Sequence, residues 1–203
     1  MQLASVLENI VSDNILHSKW LNTLSYMENA GAKKISASEH KEEVTLLILK
    51  HAAEEHRHAY YLKKQLAKLD ENLCKTYSNG ELLAPNHTKF YLNNLDVQVC
   101  RYLKQHFSLS GYDLKFAAYL FVTYAIEVRA DELYPIYQDI LSAKQSRVTV
   151  KSIILEEEGH LEEMLNQLRE FSPDWEKHAN EIIKIEQQMF TDWMVGLEKE
   201  VAG

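Results

Sequence analysis

Glycine and proline are scarce, six and three among 203 residues. The chain therefore lacks the punctuation of a fold built from short strands and tight turns. Cysteine is scarcer still: Cys74 and Cys100 form no Cys-x-x-Cys pair. That excludes a zinc ribbon, a rubredoxin-like centre or a disulfide framework, and it fits free thiols in a reducing, cytoplasmic setting. No apolar run reaches the roughly 18 residues that would cross a bilayer. The opening "MQLASVLENIVSDN" has neither the basic start nor the apolar core of a secretory leader. Positive charge is also short, 22 Lys and Arg against 30 Asp and Glu for a net charge of -8. This argues against a nucleic-acid partner, which needs a basic surface.

What remains is a chain 46% hydrophobic and 26% charged, the balance of an ordinary globular protein. Its length suits a single domain over residues 1–203. Apolar residues recur at helical steps of three and four. The first stripe is Leu3, Leu7, Ile10, Asn14, His17, Leu21, Leu24 and Glu28, which predicts one helix up to the turn at Gly31 and "ISAS". Ser36 and Glu39 have the spacing of a capping box for a second helix, over about 39–69. That helix carries Val44, Ile48, His51, Glu55, His58, Leu62 and Leu69 on one face.

Residues 75–86, with "SNG" and Pro85, read as a loop, and 90–107 as a shorter helix. A third long helix is expected over about 113–142, with Phe116, Leu120, Tyr124 and Glu127 on one face and Pro135 weakening its last turns. A fourth covers about 148–171, with Ile153, Glu157, His160, Met164 and Leu168 aligned. Ser172 and Pro173 can open a last helix that runs to about Glu200. Trp20, Trp175 and Trp193 read as core or interface anchors, and Tyr124, one turn before Glu127, as packing rather than as a redox-active residue.

The chemistry lies where polar residues interrupt the apolar stripes. "HAAEEHRHAYY" contains Glu54-Glu55-x-x-His58, and "LEEEGHLEEM" contains Glu156-Glu157-x-x-His160. Three residues is nearly one helical turn, so Glu55 shares a face with His58, and Glu157 with His160. In a chain this rich in Glu, about one Glu-x-x-His arises by chance. Requiring an acid before the Glu lowers that to roughly 0.14, so two copies are informative. Glu28 and Glu127 each precede a motif on an apolar face.

Inward carboxylates with no Lys or Arg on the same stripe are costly unless a cation neutralises them. The set Glu28, Glu55, His58, Glu127, Glu157 and His160 therefore points to two divalent metal ions. Glu127 and Glu157, 30 residues apart, suit a helical hairpin that returns to the same depth. Glu28 and Glu55 suit it less: with a turn near Ser36 they differ in depth by roughly 16 Å.

The order Glu, Glu-x-x-His, Glu, Glu-x-x-His on four long helices resembles the ferritin-like di-iron carboxylate superfamily. The likeness spans roughly residues 5–171. It is nearest to the oxygen-activating branch, which holds the ribonucleotide reductase small subunit and the bacterial multicomponent monooxygenases. The resemblance implies an all-α fold, a ferritin-like four-helix bundle with additional helices in the crossover and at the C-terminus. It implies two iron ions, or manganese and iron, bridged by Glu55 and Glu157, with Glu28 and Glu127 terminal and one His on each metal. In that branch an Asp before each bridging Glu holds the His of the opposite helix. Here Glu54 would hold His160 and Glu156 would hold His58, with Glu standing where those enzymes commonly have Asp.

His51, one turn before Glu55, has two readings. Arylamine N-oxygenases of the same superfamily use an extra His as a ligand; otherwise it is a hydrogen-bonded core residue. Asp131, one turn after Glu127, is read as a solvated acid or as support behind a ligand.

Three functions follow. The first is an oxidoreductase that activates dioxygen to oxidise a small organic substrate, fed by an electron-donor protein and assembled as a homodimer. An apolar tunnel ending at Glu55 and Glu157 would favour it. The second is an iron-handling ferroxidase or peroxide scavenger. The third is a metal-free helical bundle that binds a partner or lipid, with its acidic clusters facing water.

Overall fold

Helices follow one another with little between them. In the computed structural model, which describes residues 3–202, they are α1 (Leu3–Ser12), α2 (Asn14–Ala37), α3 (Leu46–Leu66), α4 (Pro85–Phe107), α5 (Gly111–Ala143), α6 (Lys151–Phe171) and α7 (Trp175–Val201). A single 3-10 turn covers Asn79–Glu81, and no strand occurs among the described residues. The single-domain reading of 1–203 also takes in Met1, Gln2 and Gly203, which lie outside the described residues. The fold is the expected all-α bundle. Helices α2, α3, α5 and α6 form the four-helix core, α4 lies in the crossover, and α7 packs against α4 and α5.

The first apolar stripe spans two helices rather than one. Asp13 interrupts it with an extended backbone, and its carboxylate accepts from the amides of Ile15 and Leu16 at 2.8 and 2.9 Å. Satisfying the free amides of a new helix is what an Asp N-cap does best. The expected capping box at Ser36 is absent. Ser36 lies inside α2, where its hydroxyl donates to the Ala32 carbonyl, and α2 continues to Ala37.

The later turn removes the depth mismatch. Ten residues separate Glu28 from Ser38, and ten separate Thr45 from Glu55. Cross-bonds fix the antiparallel register: Ser25 donates to the Ala59 carbonyl at 2.7 Å, and Lys63 donates to Asn22 at 2.5 Å.

The second hairpin solves the same problem differently. α5 runs past the site and on through Pro135 to Ala143. The ring deprives the Asp131 carbonyl of its helical donor, but Asp131 is exposed and water can replace it. The chain then comes back along the helix. Gln138 Oε1 accepts from the Val150 amide at 2.8 Å and from Thr149 Oγ1 at 3.0 Å. Eleven residues separate Glu127 from Gln138 and seven separate Val150 from Glu157. This leaves a depth difference of about 6 Å at the helical rise.

Pro85 is not in a loop but is the first residue of α4, where its missing amide costs nothing. The "SLSG" break before α5 turns through positive φ at Ser108 (54°) and Gly111 (60°). The core beneath α7 is aromatic. Trp193 is stacked between Trp20 and Tyr91, with ring centroids 5.8 and 5.6 Å away. Its indole N–H donates to Thr88 Oγ1 at 2.9 Å. Trp175 packs edge-on to Tyr124.

Candidate metal centre

α3 and α6 face each other in opposite directions across the bundle. His51 meets Glu163, His58 meets Glu156, and Tyr61 reaches the Thr149 carbonyl. An antiparallel crossing of two Glu-Glu-x-x-His segments sets the acid of one copy beside the imidazole of the other. His58 Nε2 donates to Glu156 Oε2 at 2.7 Å, and His160 Nε2 donates to Glu54 Oε2 at 2.8 Å. Both rings are thereby fixed in the same sense, with Nδ1 turned inward. Arg57 covers this pair of acids from outside, donating to Glu156 at 2.6 Å and standing 3.8 Å from Glu54.

Inside, the four core helices each supply an acid: Glu28 from α2, Glu55 from α3, Glu127 from α5 and Glu157 from α6. Glu55, Glu127, Glu157 and His160 are all buried, and ligating atoms from these four lie within 4.8 Å of one another. A second such group is Glu28, His58 and Glu157. Glu157 belongs to both groups. His160 Nδ1 lies 3.2 Å from Glu157, 3.6 Å from Glu127 and 3.8 Å from Glu55. His58 Nδ1 is 3.0 Å from Glu157 Oε1, yet in a direction that makes no hydrogen bond. It and Glu127 Oε2 are buried without a hydrogen-bond partner. Buried polar atoms are rarely left so. One belongs to each ligand group, and an imidazole nitrogen and a carboxylate oxygen are both donors that a cation takes.

The electrostatics agree. Burial pushes the Glu55 carboxyl well above its usual range, and the charges of Glu28 and Glu157 push the same way. Burial also raises Glu127, reinforced by Glu157. Burial acts upward on Glu157 too, but the close contacts with Glu127, His160 and His58 and the charge on His58 outweigh it and hold that carboxyl low. Burial works against a charged His58, whereas contact with Glu157 and the charge of Glu28 raise it to about 9. His160 is raised in the same way by Glu157 and Glu54, against burial. Repulsion among the acids is thus relieved by protons, and a cation binding here must displace them.

The structure brings Glu28, Glu55, His58, Glu127, Glu157 and His160 together and places Glu54 and Glu156 behind the two imidazoles. His51 does not join them. Both of its ring nitrogens are engaged elsewhere: Nε2 donates to Glu163 Oε2 at 2.8 Å and Nδ1 accepts from the Tyr119 hydroxyl at 2.9 Å. The extra-ligand reading of His51 is therefore corrected to that of a hydrogen-bonded core residue. Asp131 is also corrected: it is exposed, and among the described residues it makes no hydrogen bond or ion pair with a site residue. The residue of α5 that does reach a site acid is Tyr134, whose hydroxyl donates to Glu28 Oε1. Its position, seven residues after Glu127, repeats the same helix face, and that was the only signal for it. Tyr119 and Glu163 were not singled out either, because their importance depends on a contact across the bundle.

A cavity of about 380 Å³ opens beside the cluster between α2, α4 and α5. Leu24, Met27, Leu95, Val122 and Ile126 give it an apolar wall, while Glu28, Glu55, Glu127 and Glu157 also line it. Lys34 and Asp96, paired between α2 and α4, line it where the side chains are a third exposed. Its volume falls at the lower end of small-molecule sites. No helix among the described residues is long and apolar enough to cross a membrane. No family model, no curated protein and no solved structure matches this chain.

Proposed function

We propose that the chain is an oxidoreductase of the ferritin-like di-iron carboxylate type. It holds two iron ions, or one manganese and one iron, and activates dioxygen against a small, largely apolar organic substrate. The observation that carries this reading is the pair of ligand groups sharing Glu157. Such a pair is the arrangement needed to hold two cations side by side. Carboxylate oxygens with one imidazole per position suit iron or manganese; with no thiolate among them, they do not suit a soft metal.

Glu28, His58 and Glu157 would hold one ion, and Glu55, Glu127, Glu157 and His160 the other. Glu54 and Glu156 fix the ring orientation and strengthen each imidazole as a donor, the usual task of a carboxylate behind a metal-binding His. Bound, the two metals would supply electrons to dioxygen. The chain itself excludes water with the apolar cavity wall, orients the substrate against the acids, and keeps Glu28 in place through the Tyr134 hydroxyl.

The cavity is the observation that favours an organic substrate over iron storage, since an apolar chamber does nothing for a hydrated ion. Metal analysis after refolding with ferrous iron under argon should find up to two equivalents in wild type. Glu157→Ala should lose both. Dioxygen uptake without accumulation of a ferric core should then separate an oxygenase from a ferroxidase. Wild-type protein that binds no iron or manganese would refute the reading.

A further inference from the structure

His51 is buried to 1% exposure, lies beside the candidate metal centre and takes no part in it. Its partners form a continuous chain of hydrogen bonds. Glu163 Oε2, on a side chain 34% exposed, accepts from His51 Nε2 at 2.8 Å. Lys50 binds the other oxygen of the same carboxylate. With Glu163 a carboxylate, Nε2 must carry the ring proton, so Nδ1 must be the acceptor. The Tyr119 hydroxyl donates to it at 2.9 Å. Tyr119 is itself buried and lines the cavity that the site acids also line. Solvent and cavity wall are thus joined through three side chains with no gap.

We infer that Tyr119, His51 and Glu163 form a proton relay in which Tyr119 is a catalytic base toward a molecule bound in the cavity, and that this molecule carries an O–H or N–H group on a small apolar body. Hydroxyl, imidazole and carboxylate in series are the parts of an activated hydroxyl, the carboxylate fixing the tautomer and the imidazole drawing on the hydroxyl proton. The step balances. The O–H or N–H bond of the bound molecule breaks, and its electron pair stays on the oxygen or nitrogen. Tyr119 takes that proton as its own passes to His51 Nδ1. The Nε2 proton passes to Glu163, which releases it to water. One proton leaves the cavity, and run backwards the same steps return one.

The inference rests on the cavity being the substrate chamber of the proposed oxidoreductase, but its test does not require metal. Tyrosine isotopically labelled at Cζ is observed by NMR in an equal mixture of light and heavy water. A hydroxyl in fast exchange gives one Cζ line; one in slow exchange gives two. Wild-type Tyr119 should give one line. Tyr137, fully buried and bonded to a His17 that is itself 2% exposed, should give two and serves as an internal control. In His51→Gln and Glu163→Gln the Tyr119 line should split with Tyr137 unchanged, and Glu163→Asp should restore a single line. A split line in wild type, or an unsplit one in Glu163→Gln, overturns the relay. Metal content, measured on the same samples, should be equal in all of them. Its absence from wild type would count against the metal reading alone and leave the relay standing.

Discussion

Glu156→Ala and Glu54→Ala should each weaken one metal position and largely spare the other. In wild type Glu156 accepts from His58 Nε2 at 2.7 Å, and Glu54 accepts from His160 Nε2 at 2.8 Å. Removing either acid frees one ring to rotate and to shift its proton between nitrogens, so the inward Nδ1 is no longer reserved for a cation. Loss of such a supporting carboxylate costs about 10–100-fold in metal affinity, or about 1.4–2.7 kcal/mol. The two ligand groups have different histidines, His58 in one and His160 in the other. Glu156→Ala should therefore lower the affinity of the ion held with Glu28, and Glu54→Ala that of the ion held with Glu127.

Anaerobic titration with manganese(II) against a chelator, followed to saturation, reads both affinities and the stoichiometry. Urea unfolding of the metal-free variants serves as the control. A buried imidazole nitrogen left unpaired should cost about 1–3 kcal/mol, which lowers stability without abolishing the fold. If both variants weaken both ions equally, or neither changes any affinity, the crossed acid–imidazole pairs do not serve separate metal positions and the reasoning fails.

Three further outcomes test the fold around the site. Arg129 is buried and donates to both oxygens of Glu186, which is 1% exposed. Arg129→Met should cost about 3–5 kcal/mol in urea unfolding because it strands a buried carboxylate, and the added change Glu186→Leu should recover much of that. A Cβ at Gly196 would fall 2.4 Å from His87 Cγ. Gly196→Ala should thus cost about 1–3 kcal/mol in thermal or urea unfolding, and His87→Ala should relieve it. Burial lowers His17 to about 4. The folded chain thus keeps His17 neutral where the unfolded chain protonates it, and stability contributed at neutral pH is lost as pH falls from about 6.5 to about 4. The loss is about 3 kcal/mol, and the pH profile of unfolding should be flatter by that much in His17→Gln. An unchanged profile would show that His17 is not held neutral.

What could be read from the chain alone was whatever repeats within one helix. The helical steps of three and four located α3, α5 and α6 and put Glu55, His58, Glu127, Glu157 and His160 on inward faces. Contacts made between helices were far less legible. The break at Asp13 and the late turn after Ala37 depend on which polar side chains satisfy backbone groups, and Ser36 had a plausible alternative that the structure does not use. Tyr134 and Tyr119 carried no mark among the 11 tyrosines of the sequence. Asp131 had the right spacing from Glu127 but faced solvent, because one helical turn of four residues drifts away from a face that steps of seven maintain.

The two motif copies show why the site is more than a repeat. Positions 102 residues apart match wherever the metal set is concerned: Glu54 with Glu156, Glu55 with Glu157, His58 with His160. They part at the flanks. His51 corresponds to Ile153, Arg57 to Gly159, and Tyr61 to Glu163. Ile153 is a buried apolar residue, and Tyr61 packs against the core and ties α3 to the Thr149 carbonyl. His51 and Glu163 instead join the cavity wall to the surface. A symmetric cluster can hold two cations alike, but it offers no direction for a substrate or a proton. The departures from symmetry supply one. They place the polar relay on the Tyr119 side of the cavity, while Arg57 is a single cation over both supporting acids. Installing the relay's flanks on the other copy, by Ile153→His with Tyr61→Glu, should therefore leave metal stoichiometry unchanged. Metal analysis would check this, and a variant that lost its metal would show that the flanks, and not the matched residues alone, hold the cluster.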